Sequence, residues 1–189
     1  MFIQTEETPN PSTLKFLPGK ILLEKGTLEF KSPKEATKNS LASKLFVDEN
    51  VKGVFIGKDF LTVTKSESVE WEILKPTLLS SILDYFSSGG EIENPELETK
   101  PKEKEIKYTK KDQEIVNKIN ELLEERIKPA VAQDGGDINF VKLQKGIVFL
   151  ELRGACSGCP SSTITLKSGI ENMLKYYIPE IHSVEAINQ

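Results

Sequence analysis

The hydrophobic pattern changes period several times along this chain, and each change predicts an element. "FIQTEE" and "TLKFLPG" read as two short strands around the turn "TPNPS". "PKEATKNSLASKLFV" predicts a helix, with Ser32 as its cap and Pro33 in its first turn. "VKGVFIGKDFLTVTK" predicts a hairpin: Leu61 and Val63 alternate with Thr62 and Thr64, and Gly57 is available for a positive φ. "EWEILKPTLLSSILDYFSS" closes this half as a helix that Pro76 should kink, unless Pro76 marks its true first turn.

In the second half, "KKDQEIVNKINELLEERIKPAV" is amphipathic. Ile115, Ile119, Leu122, Leu123 and Ile127 recur at three- and four-residue steps, with charges on the other face. "DGGDINFVKLQKGIVFLELRG" predicts a hairpin turning near Lys145 and Gly146, with Val148, Leu150 and Leu152 on one face of its second arm. "PSSTITLKSGIENMLKYYIPE" is a helix and "IHSVEAINQ" a final short strand. A right-handed crossover would lay that strand parallel to one arm of the hairpin.

Between these halves, from Ser87 to Thr109, the chain is dense in Glu and Lys, carries Gly-Gly, Pro95 and Pro101, and is nearly free of apolar residues. Such a segment buries too little surface to offset its ordering entropy, and its charges extend it. The expected organisation is therefore a first domain over 1–87, a charged flexible linker over 88–109 and a second domain over 110–189. The fold class is α/β (α+β), two small two-layer domains, the second ordered α-β-β-α-β. At 189 residues, 38% hydrophobic and 29% charged, the composition is that of a water-soluble globular protein. A net charge of −4 and the lack of a basic stripe with interleaved aromatics argue against nucleic-acid binding. No apolar run is long enough for a membrane span. The opening "MFIQTEETPNP" resembles neither a secretory signal nor a transit peptide, so the expected compartment is the bacterial cytoplasm, the alternative being the mitochondrial matrix after presequence removal.

The chemistry concentrates in "GACSGCPSS", which holds both cysteines of the chain, Cys156 and Cys159. A strand ends here and a helix begins. Gly154 leaves room for a bulky group, Gly158 lets the loop turn back, and Pro160 suits the first helical position. The free N–H groups of that first turn should favour thiolate over thiol. A dithiol oxidoreductase uses similar physics, but a thioredoxin-like pair follows the first strand of a longer sheet, whereas a hairpin precedes this one. Zinc and iron–sulfur sites want four ligands. His182, the single histidine, shares the parity of Val184 and Ala186 on the last predicted strand and receives no ligand role. Two chains would supply four thiolates, which suits zinc and a four-iron cluster alike. Asp134 and Asp137 of "QDGGDIN" are too few for a calcium loop and read as turn residues capping backbone N–H groups. Trp71 and the other aromatics of the first domain read as core.

"LLEERIKPAVAQDGGDINFV" followed by "LRGACSGCPSSTITLKSGIENMLK" resembles the NifU C-terminal-type domain of Nfu iron–sulfur scaffold and carrier proteins. "TEETPNPSTLKFLPG" is similar to the N-terminal Nfu domain, in its alphaproteobacterial and mitochondrial form. The resemblance covers everything but the linker. It implies that Cys156 and Cys159 ligate a [4Fe–4S] cluster shared between two chains, and that the homodimer passes it to apo-protein clients after receiving it from upstream assembly machinery. It also implies a non-enzymatic carrier whose first domain assists client recognition, "TPNPS" included. The alternatives are a CxxC dithiol oxidoreductase and a zinc-binding dimer.

Overall fold

The computed structural model describes residues 2–92, 108–157 and 160–187, with the backbone alone for 160–162. Gly158, Cys159 and residues 93–107 of the expected linker lie outside the described residues. The chain forms two compact units, Met1–Lys100 and Pro101–Gln189. No helix among the described residues is long and apolar enough to cross a membrane.

The first unit is an antiparallel sheet of five strands in the order β1-β2-β5-β4-β3. They are β1 (Gln4–Glu7), β2 (Thr13–Leu17), β3 (Leu28–Phe30), β4 (Val51–Ile56) and β5 (Leu61–Lys65). Leu14 pairs with Val63 and Phe16 with Leu61, so period-two alternation places all four on one face. They join one core with Leu41 and Leu45 of α1 (Ser40–Leu45) and with Leu74, Leu78 and Ile82 of α2 (Trp71–Ser87). Strand β3 was not expected, because three residues are too short to show a period.

The helix expected over 33–47 is shorter and split. A 3-10 turn covers Glu35–Lys38, Asn39 is extended, and its side chain caps α1 by accepting from Ala42 N–H. An asparagine that competes with the backbone for hydrogen bonds ends one helical turn and starts another. Ser32 does not cap; its hydroxyl donates to Glu35. Gly57 has no positive φ, and its role is space: a Cβ there would lie 2.6 Å from the Phe60 ring. Pro76 falls inside α2 rather than in its first turn, at an exposed position. The ends of the expected linker fold onto the units they border. Ile92 packs against the first core, and Thr109 caps the helix that follows it.

The second unit runs α3 (Lys110–Leu122), a π turn (Leu123–Ile127), α4 (Lys128–Gln133), β6 (Gly136–Gln144), β7 (Ile147–Gly154), α5 (Pro160–Tyr177) and β8 (Ser183–Ile187). Pro129 has no N–H to continue the α-helical ladder, and the turn before it widens so that Lys128 N–H reaches Leu123 O. The wider turn keeps Val116, Ile119, Leu123, Ile127 and Val131 on the buried face, while Ile115 and Leu122 pack at its margin. β6 and β7 are antiparallel through a turn at Lys145 and Gly146, both at positive φ. β8 lies parallel to β7, as a crossover through α5 requires.

Both edges of this small sheet are guarded. Past the β6 bulge, the Leu143 N–H donates to the Tyr108 hydroxyl at 3.0 Å. On β8 the Val184 N–H donates to the Glu171 carboxylate at 3.0 Å. Lys175, and then that N–H, hold the Glu171 carboxyl below the usual carboxylate range.

Candidate metal centre

The register of the second hairpin assembles the site. Gly136 stands opposite Gly154 and Asp137 opposite Arg153, so "DGGD" and "RGAC" meet at one end of the sheet. Gly135 at φ 81 turns the chain from α4 into β6, and Gly154 at φ 67 turns it out of β7, both conformations that glycine adopts without a Cβ penalty. Ala155 N–H donates to Gly135 O at 3.1 Å and carries the pairing one residue beyond the strand. Ser157 closes the turn through its N–H and hydroxyl, both donating to Gly154 O, while Thr163 on α5 donates to Cys156 O at 3.0 Å.

These contacts put Cys156 inside rather than outside. Its exposure is 5%, and its side chain belongs to the second core. Gly136 makes the place for it: a Cβ at 136 would stand 2.7 Å from Cys156 Sγ and 2.6 Å from Arg153 O. The second glycine of "DGGD" is thus a space requirement imposed by the cysteine across the sheet. The motif was visible in the sequence; what it makes room for was not.

One expectation is corrected here. The helix start was expected to favour thiolate, yet burial, then Asp134, then Asp137, push the Cys156 thiol up to about 12 from an ordinary 9.0. Desolvation and nearby negative charge both favour the neutral thiol over the anion. The turn expected of "QDGGDIN" does form. Asp134 follows the last turn of α4, and what both aspartates bring to the site is negative charge beside the sulfur.

His182 precedes β8 instead of lying in it. It is exposed and sits against the Lys145–Gly146 turn, at the opposite end of the hairpin from Cys156. Among the described residues no three His, Cys, Asp or Glu side chains are placed to hold a metal ion. In the first unit Trp71 is half-buried against the core and its Nε1–H donates to Pro11 O at 2.9 Å, closing the "TPNP" turn onto α2.

A thiol of this kind is slow to react. In metal-free Cys159→Ser at pH 8, Cys156 is expected to be alkylated by iodoacetamide about 30- to 60-fold more slowly than in denatured chain. Roughly a thousandfold less thiolate, partly offset by the higher nucleophilicity of a more basic sulfur, sets that range. Mass spectrometry of timed aliquots reads it, and equal rates would mean the loop is open in solution.

Residues 3–89 match the family described as "Scaffold protein Nfu/NifU N terminal", and residues 119–185 match "NifU-like domain". The "NFU1 iron-sulfur cluster scaffold homolog, mitochondrial" of Homo sapiens is 48% identical over 191 residues, covering 99% of this chain and 72% of that protein. The protein of the same name from Drosophila sechellia is 47% identical over 188 residues, covering 99% of this chain and 65% of its own length. A solution structure of a NifU-like protein from Saccharomyces cerevisiae aligns with 48% of this chain and 82% of its own at 28% identity, with a TM-score of 0.44.

Proposed function

This chain belongs to the Nfu/NifU family of iron–sulfur cluster scaffolds, and from that membership we infer that it is a carrier that holds a [4Fe–4S] cargo between two copies of itself. Cys156 and Cys159 of each copy are the ligands. The observation that supports this most is the environment of Cys156. A nucleophilic dithiol needs a lowered thiol pKa in electropositive, accessible surroundings. Cys156 is buried, lies beside two carboxylates and holds its proton tightly, which disfavours the oxidoreductase alternative.

The same surroundings suit delivery. Cargo binding replaces the thiol proton by iron. On transfer a client thiol loses its proton and forms an Fe–S bond, while the Fe–S bond to Cys156 breaks and its sulfur takes a proton back. No electron is exchanged. A sulfur that prefers its proton releases iron more readily, and Asp134 and Asp137 repel an anionic cluster. The site is built to hold cargo for a while rather than to keep it.

One chain has two cysteines, so the four-thiolate site is completed by a second copy. Reconstitution with iron and sulfide under anaerobic conditions is expected to load near two irons per chain. It should also shift monomer to dimer, because a ligand bound only by the dimer stabilises it. Mössbauer spectra, iron analysis and light scattering test this together. A full cluster on a monomer would end the shared-site reading, and stable zinc in place of iron would favour the zinc dimer. Clients are apo-proteins that take up the cluster, and the first domain assists in recognising them. The relatives are named mitochondrial, which favours the matrix over the bacterial cytoplasm expected from the sequence.

A further inference from the structure

The five-stranded sheet ends in β1, whose outer edge pairs with no strand among the described residues. Beside that edge, on the α2 side, runs a trench in two connected parts. One part, about 620 Å³, lies between the Thr8–Pro11 turn and the start of α2, with Trp71 on its wall. Glu7, Glu70 and Glu72 line it, all exposed, against one lysine, Lys75. The other part, about 540 Å³, shares Thr5 and Lys75 with the first and follows β1 to the apolar Phe2, Ile3 and Leu79.

We propose that this trench receives an extended, lysine- or arginine-bearing segment of a partner protein, which adds to β1 as a sixth strand. An open strand edge offers backbone N–H and C=O groups to any extended chain. Specificity then comes from alternate side chains, which on a strand point to one face. At one end three carboxylates outnumber Lys75 and select positive charge; the Lys65 ammonium already stands 5.7 Å from the Trp71 ring centroid, so the carboxylates, and not that ring, receive the basic side chain. At the other end Phe2, Ile3 and Leu79 receive an apolar side chain. Side-chain hydrogen bonds hold the turn ready: Thr8 Oγ1 accepts from Asn10 N–H and Asn10 Oδ1 from Ser12 N–H, with Asn10 buried. Side chains bond one N–H on each edge strand of the second sheet, and β3, the other edge of the first, is three residues long, so strand addition falls to β1. The proposal rests on the carrier reading only where that partner is one of the carrier's clients.

The test uses the cluster-free full chain, labelled with nitrogen-15, and a ten-residue probe peptide alternating Lys with Thr and Val and ending in Leu. Amide shifts are expected at Gln4–Glu7 and at the Trp71 indole. The triple variant Glu7→Gln, Glu70→Gln, Glu72→Gln should bind the probe about tenfold more weakly, from roughly 0.5 kcal/mol for each exposed charge pair. Added salt should act in the same direction, and a probe N-methylated at alternate amides should lose binding. Equal binding of a glutamate-for-lysine probe, an unaffected triple variant, or shifts confined to other surfaces would overturn the proposal. So would β1 shifts that follow protein concentration without peptide, which would give the trench to a second copy. A chain that binds the probe and takes no cluster would overturn the carrier reading and leave the trench; cluster without probe binding would do the reverse.

Discussion

Cys156→Ser and Cys159→Ser are each expected to lower retained cluster by about tenfold or more after reconstitution. Loss of a supporting contact to a metal ligand already costs ten- to a hundredfold, and on the carrier reading each variant removes two of the four thiolates of a dimer. On that reading the losses should be nearly equal, because both sulfurs serve as ligands of one cargo. Stability should separate the variants. Cys156→Ser places a hydroxyl where a buried sulfur packs beside Gly136, at a cost of about 1–3 kcal/mol if the hydroxyl finds no partner. Iron content and denaturant midpoints must therefore be measured on the same preparations. A Cys159→Ser chain that keeps full cluster, or a wild type that turns over disulfides and takes no iron, would remove the carrier reading.

Gly136→Ala should damage the site without touching either cysteine. Its new Cβ would stand 2.7 Å from Cys156 Sγ and 2.6 Å from a backbone oxygen of β7, which has little freedom to move. Overpacking of this kind costs about 1–3 kcal/mol, and relief requires both the sulfur and the β7 backbone to shift. The expected result is a lower denaturant midpoint together with faster alkylation of Cys156 and poorer cluster retention. Gly169→Ala is the matched control. It lies within α5 with nothing within 4 Å of a built Cβ, so alanine there should be neutral or stabilise by up to about 1 kcal/mol. If both variants behave alike, the close approach at Gly136 has no consequence.

What was legible in the sequence was whatever repeats within a few residues. The α-β-β-α-β order of the second unit follows from long periodic segments, and the Lys145–Gly146 turn from its residues. β3 was not legible, because Leu28 and Phe30 flank a single outward residue. Nor was the break at Asn39, where one side chain decides between continuing a helix and starting another. The cysteine motif was visible at once, but its burial was not. Burial depends on the register that sets Gly136 opposite Gly154, eighteen positions away; the Lys145–Gly146 turn fixes the pairing beside it, but the bulge between Phe140 and Lys142 shifts the rest by one residue, and no residue pattern announces that bulge. The same distance hid the charge effect, since Asp134 and Asp137 reach Cys156 only after the hairpin forms.

The Tyr108 hydroxyl on β6 and the Glu171 carboxylate on β8 bear on how an assembly of these chains ends. A sheet with bare margins can join its neighbour's, and that neighbour the next, giving a ribbon without a natural stop. With a side chain bonded to one N–H of each margin strand, that head-to-tail route is less favourable for the second unit. If two copies meet at one small cargo, as proposed above, they form a closed pair rather than a ribbon. Such a pair would be held by the cargo and not by a continuous sheet, so its separation would follow the cargo's departure.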